Sequence, residues 1–223
     1  MQNFATTTPV TTVLNIPAGR VRLVAADRGD ATVEVRPANA AKGRDVKAAE
    51  RIEVVFADGV LRIAAPEAEH KVLGSSGEVE VTVQLPAGSR VEAKVAAGEL
   101  HGAGPLGDVV LETAQGPVTL DEAASARIGV QDGHITVGRL SGPAELRTRQ
   151  GDIKVAEALR GAVELRTEKG DIEIGAARGV SAALDAGTAY GRVDNALRNS
   201  EGAAAELNIR ATTAYGDITA RSL

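Results

Sequence analysis

Ala144-Glu145-Leu146-Arg147-Thr148-Arg149-Gln150-Gly151-Asp152-Ile153-Lys154-Val155 is followed, nineteen residues on, by Val163-Glu164-Leu165-Arg166-Thr167-Glu168-Lys169-Gly170-Asp171-Ile172-Glu173-Ile174. These are two copies of one unit. Before each glycine, small or apolar residues alternate with charged ones, the period of a half-buried strand. The glycine marks a bend, because only Gly takes a positive φ cheaply. After it a second short alternation begins.

Reading outward, the pattern Thr or Val, two residues, Gly, one residue, then Ile, Leu or Val occurs at Gly98, Gly116, Gly133, Gly151, Gly170, Gly191 and Gly216. The first gaps are 18, 17, 18 and 19 residues; the last two are 21 and 25, and Arg198–Gly202 is the inserted loop. Gly142, Gly161 and Gly179 mark a second bend. A rung of this length with two short strands cannot bury its own apolar edge, and repeats of such a unit stack. The expectation is an all-β chain: a parallel β-helix (solenoid) of about seven rungs of 17–25 residues from about Gly88 to Leu223. Leu146 then stacks on Leu165 and Ile153 on Ile172, and Thr113, Thr148, Thr167, Thr188 and Thr213 form an inward column that fits a hydroxyl ladder. A meander of antiparallel hairpins fits the repeat length nearly as well.

Composition supports thin layers. Only Phe4, Phe56, Tyr190 and Tyr215 are aromatic, so the core must be built from Val, Ile, Leu, Ala and Thr. The same scarcity counts against a sugar-binding groove. Net charge is −5 with mixed signs and no basic run, which gives no reason to expect nucleic acid. Cysteine is absent, which removes disulfides and thiolate chemistry. The start lacks an apolar signal-peptide core and no run reaches membrane-spanning length, so a cytoplasmic protein with no membrane span is expected.

Residues 1–86 are expected to form an antiparallel β cap that packs on the solenoid of residues 87–223, the two making one continuous unit. The strand candidates are 12–16, 21–25, 31–36, 52–56, 60–64 and 79–85, with Asp58-Gly59 as a hairpin turn. Asp45–Glu50 reads as one helical turn with Asp45 as N-cap, and His70–Gly77 as a loop.

With the serial Thr-x-x-Gly-Asp-Ile units at Gly151, Gly170 and Gly216, the runs Val33–Pro37, Asp58–Leu61, Leu85–Ser89 and Thr188–Gly191, and the closing Thr213–Thr219, the chain resembles a bacterial β-strand-repeat family of unknown function labelled "putative adhesin". The resemblance covers nearly the whole chain. It implies a β-helical fold and carries no catalytic residue over.

Several residues invite chemistry. Asp152, Asp171 and Asp217 each follow a bend glycine and form a column whose first two members lie about 5 Å apart, a spacing open to Ca²⁺ or acid–base work. Each unit offers one such oxygen ligand, so the column reads first as turn aspartates bonded to local backbone. Arg147 and Arg166 stack, as do Glu145 and Glu164, giving a charged face open to partners. Tyr190 and Tyr215 hold one position in two rungs, either pairing outside the bend or packing on the inserted loop. His101 and His134 stand apart, and Gly102–Gly107 matches G-x-G-x-x-G without a following helix, so it reads as a bend. No cofactor, metal or catalytic residue is expected. The functional expectation is a non-enzymatic scaffold or interaction module that binds a protein partner or self-associates through its C-terminal rung. A cell-envelope carbohydrate binder is the alternative and a polysaccharide-active β-helical enzyme the remote one.

Overall fold

The structure is a computed structural model, described here for residues 1–66 and 77–223. In chain order the elements are β1 (Gln2–Ala5), β2 (Thr11–Ala26), β3 (Asp30–Pro37), helix α1 (Gly43–Arg51), β4 (Glu53–Ala57), β5 (Val60–Ala64), β6 (Val79–Pro86), β7 (Arg90–Gln115), β8 (Val118–Asp132), β9 (Ile135–Leu140), β10 (Ala144–Gln150), β11 (Ile153–Ala158), β12 (Gly161–Lys169), β13 (Ile172–Ala176), β14 (Ala182–Tyr190), β15 (Val193–Ala196), β16 (Leu207–Tyr215) and β17 (Ile218–Ser222). All seventeen strands belong to one hydrogen-bonded sheet that winds through bends as a solenoid.

The winding is parallel, and the register follows the repeat. Leu146 pairs with Leu165 and Thr148 with Thr167 across β10 and β12; Ile153 pairs with Ile172 across β11 and β13. Strand β7 bends at Gly102–Pro105, where its register with β8 shifts. Its two halves lie side by side, the Gly107 N–H donating to Ser89 O at 2.9 Å. Parallel stacking also reaches residues 1–86, for β2 pairs in parallel with β5, β6 and β7. The antiparallel pairs here are β1–β3, β3–β6 and the expected Asp58-Gly59 hairpin β4–β5. Both hairpin residues take positive φ, 51° and 75°.

The core is one cluster of Val, Ile, Leu and Ala lying between the first and second strand segments of each rung. Leu111, Ile128, Leu146 and Leu165 line one side; Ile135, Ile153, Ile172 and Ile218 line the other; all are buried. Each such side chain stabilises by roughly 1.5–3 kcal/mol when taken out of water. The bend glycines set how closely rungs approach. Gly151 and Gly170 have φ of 139° and 149°, and a Cβ on Gly170 would fall onto the Gly151 carbonyl oxygen below it.

Three local expectations are corrected. The helix N-cap is Lys42, while Asp45 lies buried in the first turn and accepts the Glu78 N–H at 3.2 Å. The threonine hydroxyls do not bond one another. Thr148, Thr167 and Thr213 donate to the carbonyls of Gly133, Gly151 and Gly170, at 3.0, 2.9 and 3.0 Å, in the neighbouring rung. The order of the last rungs also departs from chain order. Strand β16 pairs with β12 on one side and β14 on the other, and β17 lies between β13 and β15. The C-terminal rung is therefore inside the stack, and the outermost rung is β14–β15. The expected 70–77 loop, Gly77 apart, falls outside the described residues.

Candidate functional site

The outermost rung carries the first candidate surface. Among the described residues strand β14 is paired only by β16 and β15 only by β17, so each presents a row of backbone donors and acceptors that no described strand takes up. Val193 and Asn195 stand in register with the inward residues Ile218 and Ala220, yet both are exposed. The inserted loop folds back over one corner. Arg198 O accepts the Ala182 N–H at 3.0 Å, and Ser181 Oγ accepts the Glu201 N–H at 3.1 Å. This covers the start of β14 and leaves the rest of the edge open.

Beside the first bend of this rung, Tyr190 and Tyr215 stack with centroids 4.9 Å apart and planes 4° from parallel. They are 68% and 57% exposed, so the pairing reading holds and the rings form a platform rather than a plug. The aspartates reach the same spot. Asp152 Oδ1 accepts the Asp171 N–H at 2.8 Å, and Asp171 Oδ1 accepts the Asp217 N–H at 2.7 Å. Asp217 in turn accepts the Arg192 N–H at 2.8 Å and meets the Arg192 guanidinium at 3.1 Å. Those bonds from Arg192 hold the Asp217 carboxyl below its ordinary value. The column begins at His134, whose Nδ1 accepts the Asp152 N–H at 3.0 Å. It is a ladder of bend bonds, with its carboxylates spent on backbone. Among the described residues no three His, Asp or Glu side chains are arranged to hold a metal ion.

Arg147 and Arg166 sit elsewhere: the first strand segments of successive rungs stack as one wall of the solenoid, its first sheet, and both arginines lie on the outer face of that wall. Arg147 pairs with Glu145 at 2.7 Å and Glu164 at 3.3 Å. Both arginines line a groove of ≈ 1320 Å³ that crosses the rungs from β2 to β12. Helix α1 forms part of its wall through Arg44, Lys47, Ala48 and Arg51, which fall on one helix face by their three- and four-residue spacing. The structure thus gathers the tyrosines with Asp217 at the open rung, and the arginines with α1 along the groove. The sequence reading missed Arg192 and the cations of α1; the spacing Arg44, Lys47, Arg51 was the available signal. No described helix is long and apolar enough to cross a membrane.

A family model described as Toastrack DUF4097 matches residues 13–222. No curated protein matches the chain. Among solved structures, one described as a putative adhesin from Bacteroides fragilis is similar over all of this chain and 95% of its own, at 14% identity and a TM-score of 0.54. Another, described as a putative cell adhesion protein from Clostridium sporogenes, aligns over all of this chain and 98% of its own, at 11% identity and a TM-score of 0.42. At these identities the likeness concerns the fold.

Proposed function

The chain belongs to the Toastrack DUF4097 family, and on that premise we propose that it is a non-enzymatic interaction module whose open rung binds a second copy of itself. The observation that carries this reading is the one-sided pairing of β14 and β15. An unpaired strand edge is a template for another strand. A single added peptide strand covers β14 or β15. A two-fold axis perpendicular to the stack lays β14 antiparallel on its own copy and β15 on its own copy, so one self-complementary contact covers both. Val193 and the two tyrosines, exposed on the single chain, then gain apolar cover. The adhesive role named for the similar folds fits a module that works by contact, and the edge argument does not depend on it.

Light scattering over a concentration series tests the proposal. The parent chain should shift from monomer to dimer as concentration rises. Val193→Lys places a charge on the edge and should hold the chain monomeric with an unchanged circular dichroism spectrum. A parent that stays monomeric throughout, or a lysine variant that dimerises as well as the parent, would sink the proposal.

A further inference from the structure

The groove on the outer face of the first sheet lies away from the open rung and has its own chemistry. Among the described residues, seven of its lining residues are basic and two, Glu112 and Glu168, are acidic, on a chain whose net charge is −5. The sheet supplies part of the balance: Lys94 pairs with Glu112 at 3.3 Å and Arg149 with Glu168 at 3.9 Å. Lys47, Arg51 and Arg166 make no ion pair among the described residues, and all three are exposed. Cations collected on one side of an acidic molecule raise the local concentration of anionic partners.

The floor gives the groove its shape. Ala96, Ala114 and Gly129 point outward where other rungs carry long charged side chains, so the space above them is open. Near α1 the lining turns apolar on the exposed or half-buried Pro17, Ala48, Ile52, Ala65 and Pro66. The groove crosses six rungs, from Asn15 to Arg166, a length of about 24 Å at 4.8 Å per strand. No aromatic ring of the described residues lines it, which removes the stacking platform that single-stranded nucleic acid uses. An acidic polysaccharide would meet the cations and leave the apolar end unused.

The geometry points to an extended acidic peptide segment with interspersed apolar side chains as the ligand of this groove. Its carboxylates meet Lys47, Arg51 and Arg166, and its apolar residues cover Pro17, Ile52 and Pro66. At 3.3 Å per residue the groove takes roughly seven extended residues. Arg166, in register with the already paired Arg147, presents a planar fork suited to a carboxylate.

The test uses the full chain and a fluorescein-labelled peptide of alternating Glu and Leu, about eight residues long, read by anisotropy at low and high salt. Binding should weaken with salt. It should weaken by at least about tenfold in the double variant Arg51→Glu with Arg166→Glu, since rim charges that attract are turned to repel. Arg178→Glu, outside this groove, should bind as the parent does. A peptide with Lys in place of Glu should bind the double variant better than the parent, which separates loss of charge from loss of fold. A polyuronate or a single-stranded oligonucleotide that binds as tightly, with the same dependence on Arg51 and Arg166, would overturn the peptide assignment. Absence of peptide binding, or equal binding by the double variant, would overturn the site.

Discussion

The two ends of the solenoid are finished in opposite ways. At the first end, β4 and β5 turn back as an antiparallel hairpin, β1 and β3 add antiparallel strands beyond β6, and α1 packs against β3 and β6. The core reaches that end intact, with Leu61 and Ile63 fully buried. At the other end the chain passes over one position, lays down β14–β15, and returns to fill the gap with β16–β17. The outermost rung is left with an exposed Val193 and a polar Asn195 in inward register. Among the described residues the first end also finishes in strands paired on one side, β1 by β3 and β4 by β5, but these run antiparallel to their neighbours and lie over a buried core. The other end stays parallel and leaves its inward positions exposed.

The largest expected effect follows from that return. Strand β17 separates β13 from β15 and buries Ile218 and Ala220. Deleting residues 217–223 removes the sole partner of β15 among the described residues and one partner of β13. Hydrogen exchange should show protection lost through residues 182–215, while β2 to β11 keep theirs. Protection surviving in β14 and β15 would mean that the outer rung rests on something other than the returning segment, and the contrast between the ends would dissolve.

A smaller effect probes depth within one column. Leu165, Ala211 and Ala186 share a register position across β12, β16 and β14. Leu165 is fully buried and Ala186 only partly so. Leu165→Asp puts an unpaired charge in the core and should cost about 4 kcal/mol or more. Ala186→Asp on the open rung should cost under about 1 kcal/mol. Denaturant unfolding of both variants gives the comparison, and equal costs would show that the outer rung is as closed as the interior.

Much of this was legible in the residues. The alternation around Gly151 and Gly170 gave the strands, the bend and the register of β10 with β12, because one inward column admits one alignment. Asp58-Gly59 gave its hairpin from turn chemistry alone. The order of the last rungs was hidden, because Thr188–Gly191 and Thr213–Gly216 carry the same four residues and neither marks which stacks on Gly170. The signal lay four residues after the bend glycine. Val155, Ile174 and Ala220 are apolar there and Asn195 is not, which marks 182–196 as the rung with nothing above it. The groove was less visible still. Its sheet arginines were read as a charged face, while its wall comes from a helix far off in sequence that packs on β3 and β6.

The smallest effect contrasts the regular stack with the first rung through one substitution made twice. Thr167 Oγ1 donates to Gly151 O at 2.9 Å, so Thr167→Val removes a hydrogen bond and leaves a carbonyl lacking that donor. The expected loss is about 1 kcal/mol. Thr12, in the first rung, is fully buried and its hydroxyl has no hydrogen-bond partner among the described residues. It lies in register with Val91, an apolar inward position. Thr12→Val keeps the shape and removes a polar atom that folding strips of water, so it should stabilise by up to about 1 kcal/mol. Thermal unfolding of the two variants should shift in opposite directions. A shift of the same sign in both would mean that the threonine column stabilises by packing alone, and that the bonds to the bend glycines add nothing to the stack.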